Sequence, residues 1–125
     1  EVAGITPDVS GIAPDLQIRA SAAAVKRALL NILLNATQHA GSGGRVTVTA
    51  GRHGAKVRLE VGDTGPGIPK AERQRVFEMF YTTRPQGTGL GLFLARTAIE
   101  KYGGTLAVVD APEAGARLRV EFPAA

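Results

Sequence analysis

Two stretches of the chain alternate apolar and polar residues: 45–50 reads RVTVTA and 56–61 reads KVRLEV, separated by GRHGA. Period two marks a strand with one buried face, so the pair predicts a β-hairpin with Val46, Val48, Val57, Leu59 and Val61 turned inward. A second pair of strand-like runs, TLAVVD (105–110) and ARLRVEF (116–122), flanks the turn sequence APEAG. Between Ser21 and Ala40 the pattern changes. SAAAVKRALLNILLNATQHA holds no glycine or proline, opens on a serine suited to an N-cap and stops at GSGG, which predicts a helix. At about 100° per residue, Val25, Ala28, Leu29, Ile32, Leu33, Ala36 and Ala40 share one face of it. Asn31, Asn35 and Gln38 fill an adjoining sector roughly 60° wide.

The stretch 69–80, PKAERQRVFEMF, predicts a shorter helix with Pro69 near its start, and 90–104 a second long helix closed by Gly103 and Gly104. YTTRPQGTG (81–89) reads as irregular because Pro85 and two glycines interrupt it. Residues 1–20, with their prolines and glycines, read as one or two edge strands and turns. The order of elements predicts an α+β fold. Helices stack as one layer on one face of a mixed, mostly antiparallel sheet of about five strands, a two-layer sandwich.

At 125 residues and 44% hydrophobic composition the chain can bury one core, so residues 1–125 are expected to form a single domain. It has no cysteine, which removes disulfide frameworks and thiolate metal sites. No apolar run approaches the roughly 18 residues of a membrane span, and the start lacks a signal-peptide layout. The chain opens on Glu1 rather than methionine, which predicts a piece of something larger or a processed product. A formal charge of +4 invites an anionic partner. The cations are scattered, however, apart from Arg73 with Arg75 on a helical stretch and Arg117 with Arg119 on a strand. Four phenylalanines and two tyrosines make few stacking platforms. A solvated basic surface is expected, with no nucleic-acid partner and no direct membrane contact.

Three polar features interrupt the apolar pattern. Two asparagines one turn apart on a greasy helix are poor helix formers. They either face water or present hard oxygen donors suited to Mg²⁺ shared with substrate phosphates. DTGPGIP (63–69) sets Asp63 at the end of a strand. It is ordinary turn chemistry, or an acceptor-only carboxylate selecting an exocyclic amine such as that of adenine, with Gly65 and Gly67 letting backbone pass close to a flat ring. GTGLGL (87–92) is a flexible loop end, or a set of amide N–H groups at a helix entrance that meets phosphate oxygens. It lacks the Lys-Ser/Thr ending of the P-loop and the spacing of the dinucleotide fingerprint.

Taken in order, NILLNA, DTGPGIP, VFEMFYTTR and GTGLGL closely resemble the N, G1, F and G2 boxes of the ATP-binding catalytic domain of sensor histidine kinases. That group lies within the superfamily (Bergerat fold) that includes gyrase, Hsp90 and MutL ATPases. The resemblance runs from about Asp15 to Pro123, and TTRPQGTGLGL resembles the short-lid kinases related to nitrogen-regulation sensors. It implies ATP as substrate, ADP as product and Mg²⁺ as cofactor. Asn35 matches the metal-holding asparagine and Asn31 the one near the phosphates. Gln38 stands where many relatives carry a basic residue. Asp63 matches the aspartate bonded to the adenine amine, with Gly65, Gly67 and Ile68 shaping the base pocket. Phe77 and Phe80 match the F box at the lid base. Thr83 and Arg84 lie in the lid, and Arg84 matches the basic residue reaching toward the γ-phosphate. Gly87, Thr88, Gly89, Leu90 and Gly91 match the hinge and its phosphate-binding amides. Asn35 and Arg84 are the groups expected to act in transfer. Leu34 departs from subfamilies with an acid before the second asparagine, so the helix carries no local general base.

The resemblance also implies what lies elsewhere. His39 is expected as a polar residue favourable to the helix dipole and His53 as a solvated turn residue, and neither stands in the family's acceptor sequence. The acceptor histidine, its neighbouring base and the homodimer interface are therefore expected upstream of Glu1. A response regulator is expected downstream and a cytoplasmic location follows, whether or not the parent protein is membrane-anchored. Alone, the chain should bind Mg·ATP, remain largely monomeric and barely autophosphorylate. The alternatives are a serine kinase of the anti-sigma-factor type, an ATP-driven dimer clamp and a non-catalytic nucleotide sensor or scaffold. Against the clamp, Asn31 stands four residues before Asn35, where that group carries glutamate.

Overall fold

The alternating stretches become one five-stranded sheet. The computed structural model describes residues 8–12, 22–41, 43–79, 81, 89–111 and 115–124. Its strands are β1 (Asp8–Ile12), β2 (Val46–His53), β3 (Lys56–Asp63), β4 (Thr105–Val109) and β5 (Arg117–Pro123). Their spatial order is β1-β2-β3-β5-β4, with β1 parallel to β2 and every other pairing antiparallel. The sheet is thus mixed and mostly antiparallel, as the sequence predicts. The first hairpin extends to the pair His53 and Lys56, tighter than the five-residue loop expected from GRHGA.

Directly opposed residues share a face, so the register fixes what points inward. One row runs Val48, Val61, Leu118, Val108, and the next runs Ala50, Leu59, Val120, Leu106. These rows meet α1 (Ala22–Ala40) and α2 (Gly91–Lys101), which pack on each other and on the sheet. Ala28, Ile32 and Ala36 of α1 and Leu92, Ala95 and Ile99 of α2 are buried in the shared core. Leu59 is only half-buried, whereas the four valines expected to face inward are buried.

The opposite face carries charge. Glu60 accepts from Arg119 Nε at 2.6 Å and from Arg117 at 2.9 Å, and Arg58 pairs with Glu121 at 2.9 Å. Burial pushes the Glu60 carboxyl up, but hydrogen bonds from Arg119 and Arg117, together with their charges, outweigh it and hold the group below its ordinary range. The Arg117 and Arg119 pair is therefore half-neutralised by the one carboxylate they share.

One expected element takes another form. In place of a single helix over 69–80 there are two 3-10 turns, Lys70–Glu72 and Arg75–Phe77. Their bonds are the short i to i+3 kind, such as Glu72 N–H to the Pro69 carbonyl at 2.9 Å and Glu78 N–H to the Arg75 carbonyl at 2.9 Å. A segment this short gains little from helix propagation, so tertiary anchors decide. Phe77 is buried in the core under the Arg96 guanidinium, 5.0 Å from its ring centroid, and the Tyr81 hydroxyl donates to Glu72 at 3.0 Å.

Candidate functional site

The alternation that buries Val57 and Val61 does not stop at the end of β3. Asp63 is the next inward position, opposite Val46, and its side chain is 2% exposed. A carboxylate desolvated beside valines is costly unless its lone pairs are met. Gly65 N–H donates to Oδ1 at 2.8 Å and Ala116 N–H to the same oxygen at 3.3 Å. His39 Nδ1 lies 3.1 Å from Oδ1 and 3.2 Å from Oδ2. These three partners come from the loop after β3, the residue before β5 and the last turn of α1. An ionised carboxylate accepts hydrogen bonds only.

Bare backbone lies on both sides of it. A β-carbon on Gly65 would stand 2.2 Å from the His39 carbonyl oxygen and 3.0 Å from Asp63 Oδ1. A β-carbon on Gly115 would stand 1.7 Å from the Asp63 carbonyl oxygen, and Gly115 has φ +110°. Only glycine fits either place. Gly67, at φ +83°, approaches Gly115 from the loop side, and Ile68 beside it is half-buried. Thr64 ties the loop to the entry of β2, its Oγ1 accepting from Arg45 N–H at 2.8 Å.

On α1, Asn31 and Asn35 are half-buried and Gln38 is exposed. Neither asparagine side chain hydrogen-bonds another described residue, whereas the neighbouring Thr37 hydroxyl is turned back to the Leu34 carbonyl at 2.9 Å. At the start of α2, Gly89 has φ +72° and no side chain caps the first turn. A β-carbon on Gly91 would meet nothing within 4 Å. Phe80, Thr83, Arg84, Gly87 and Thr88 lie outside the described residues. Among the described residues no group of three His, Cys, Asp or Glu is placed to hold a metal ion.

The structure therefore joins Asp63 and Gly65 directly and brings Gly67 against Gly115. It sets Asn31 and Asn35 two turns and one turn before the helix end that reaches Asp63. Gly89, Leu90 and Gly91 sit at the mouth of the helix packed on α1, with no hydrogen bond to Asp63. His39 corrects its expected role: its imidazole partners Asp63 across 24 residues rather than serving only the helix terminus. His53 is exposed, as expected. Gly115 and Ala116 escaped the sequence reading, because the signal that places them is the β3–β5 register and no local pattern.

The model of the family described as histidine kinase-, DNA gyrase B- and HSP90-like ATPase matches residues 20–125. The chain is 37% identical over 107 residues to the sensor histidine kinase ZraS of Escherichia coli O157:H7, which covers 86% of this chain and 23% of that protein. It spans about a quarter or less of the length of the curated relatives it matches. Full-length ShkA in complex with AMPPNP superposes with a TM-score of 0.84 at 33% identity, over 98% of this chain and 26% of that one. Histidine kinase ThkA in complex with the response regulator TrrA superposes with a TM-score of 0.83 at 28% identity, over 98% of this chain and 35% of that one.

Proposed function

The chain belongs to the histidine kinase-, DNA gyrase B- and HSP90-like ATPase family and is an ATP-binding domain of the sensor-histidine-kinase type; from that premise we propose that it transfers the γ-phosphoryl group of Mg·ATP to a histidine on a separate dimerisation and phospho-acceptor domain. The observation that carries the reading is Asp63. It is buried on the inner face and flanked by glycine backbone on both sides. Both backbone donors converge on Oδ1, which leaves Oδ2 the capacity to accept the adenine amine.

Gly65, Gly67 and Ile68 form the wall beside the base, and Asn31 and Gln38 stand on the phosphate side. The Asn35 carboxamide oxygen is suited to hold Mg²⁺, which takes hard oxygens and shares them with substrate phosphates. When bound, the cation neutralises charge on the phosphate oxygens. In this reading the amides of 87–91 orient the triphosphate and Arg84 neutralises charge on its γ-phosphate.

Neither histidine of this chain serves as acceptor in this scheme, since His39 is engaged with Asp63 and His53 lies at the far end of the first hairpin. The acceptor domain supplies the histidine and the dimer, and a response regulator takes the phosphoryl group onward. No described helix is long and apolar enough to cross a membrane, and the domain works where ATP is, in the cytoplasm. The test is to incubate the chain with a family acceptor-helix domain and γ-labelled ATP. Acid-labile, base-stable label on the acceptor histidine is the expected result. Nucleotide binding without any transfer would point to a scaffold instead.

A further inference from the structure

Both helices pack on the inner face of the sheet, and the outer face carries the charge. On β3 and β5 the outward positions hold Lys56, Arg58, Arg117 and Arg119 against Glu60 and Glu121, four cations to two carboxylates. We propose that this face is a docking surface for an extended acidic segment of a partner protein, whose carboxylates lie over Arg117 and Arg119. The face lies across the sheet from the Asp63 side chain, so its role does not depend on what Asp63 binds.

Both acids are already engaged. Glu60 is shared between Arg117 Nη1 at 2.9 Å and Arg119 Nε at 2.6 Å, and Glu121 pairs with Arg58. One carboxylate between two guanidiniums leaves a positive charge uncompensated, and at 31% and 33% exposure both arginines can be reached from outside. Arg117 also has a donor to spare. Its guanidinium lies over Gly62, where a β-carbon would stand 3.8 Å from Nε and from Nη2, and Nε is buried without a hydrogen-bond partner. A buried donor left unmet is costly, so Arg117 gains by turning this N–H to an incoming carboxylate, which a guanidinium fork suits. Spacing selects an extended partner: Arg117 and Arg119 stand two residues apart on β5, about 6.6 Å, the repeat of same-side residues on another extended chain. The face is poorly suited to other anionic surfaces. The large exposed hydrophobics among the described residues, Leu30, Leu34, Met79 and Leu94, all lie off the sheet, so none is there to enter a membrane. The outward positions of β2 to β5 hold no Phe, Tyr or Trp for a base to stack on, and Glu60 and Glu121 repel a phosphate backbone.

The experiment titrates the capped peptide Thr-Glu-Thr-Glu-Thr-Glu into the isotope-labelled chain and follows the arginine Nε–H and backbone amide signals by NMR. Saturable shifts at Arg117 and Arg119 are expected, with the amides of Asp63 and Gly65 unmoved and the affinity falling as salt rises. Glu60→Gln removes the competing carboxylate and should tighten binding by about fivefold, the upper scale of one exposed ion pair. Arg117→Gln combined with Arg119→Gln should weaken it by about tenfold. Thermal melts check folding, and because Glu60→Gln must gain affinity, a damaged fold cannot imitate the result. A matching peptide with lysine in place of glutamate should leave the arginine signals where they are. Four results overturn the proposal: no shift at Arg117 and Arg119 with the acidic peptide at millimolar concentration, equal shifts with the lysine peptide, a folded Glu60→Gln that binds no tighter, or shifts that persist in the double variant. Duplex DNA or phosphatidylserine vesicles that move the same signals where the peptide does not would assign the face to nucleic acid or membrane and overturn it too.

Discussion

Gly115 lies so close against Asp63 that a β-carbon on it would stand 1.7 Å from the Asp63 carbonyl oxygen. The contact holds β5 against the end of β3 where the acid turns inward, and it brings the Ala116 N–H to within 3.3 Å of Oδ1. Sheet pairing and the placement of one carboxylate are therefore the same structural event.

Gly115→Ala should accordingly damage both. The new methyl group meets backbone, which cannot swing aside, and φ of +110° disfavours any L side chain. We expect a loss of about 3 kcal/mol or more in urea unfolding, in the range of severe backbone effects. In the fraction that remains folded, adenine-nucleotide affinity should also fall. Full stability in this variant would show that β5 can shift without consequence.

The charged face predicts a pH dependence. Glu60 is lowered from its ordinary value of 4.5 by its arginine partners. A carboxyl lowered on folding contributes stability in full above its unfolded pKa and loses it as pH falls through the folded value. Unfolding midpoints of the wild type should therefore decline as pH drops below about 4.5. Glu60→Gln, which cannot titrate, should be about 1 kcal/mol less stable at pH 7 and decline less steeply on acidification, so that the two curves converge. Parallel curves would show that the Arg117–Glu60–Arg119 cluster adds nothing.

Asn35→Ala separates metal from base. If its carboxamide holds Mg²⁺, ADP affinity in the presence of Mg²⁺ should drop by about tenfold, and ADP affinity in chelator should not change. Equal losses with and without the cation would assign Asn35 to the helix rather than to the metal.

Much of this was legible in the chain because the physics behind it is local. Period-two alternation located β2 and β3 and the inward faces of Val46, Val48, Val57 and Val61. A run free of glycine and proline located α1, with Ile32 and Ala36 on its buried side. Asp63, Gly65 and Gly67 could be singled out because DTGPGIP falls in order with three other motifs that resemble the family's boxes; alone it reads as ordinary turn chemistry. The segment 69–80 misled, since a run opening on Pro69 suits a short helix while Phe77 and Tyr81 draw it into two tight turns. His39, Gly115 and Ala116 were illegible for one shared reason. Each reaches Asp63 from an element 24 or more residues away, and only the packing of α1 and the β3–β5 register brings them together.

The claim on which the account turns is that Asp63 accepts a hydrogen bond from the adenine amine. Calorimetric titration of Mg²⁺ and ADP into the chain and into Asp63→Asn tests it most directly. We predict binding by the wild type and affinity weaker by about a hundredfold in Asp63→Asn, the loss expected when a site built around a buried charged acceptor is changed. Equal ADP affinity in a variant that melts at the wild-type temperature would contradict it.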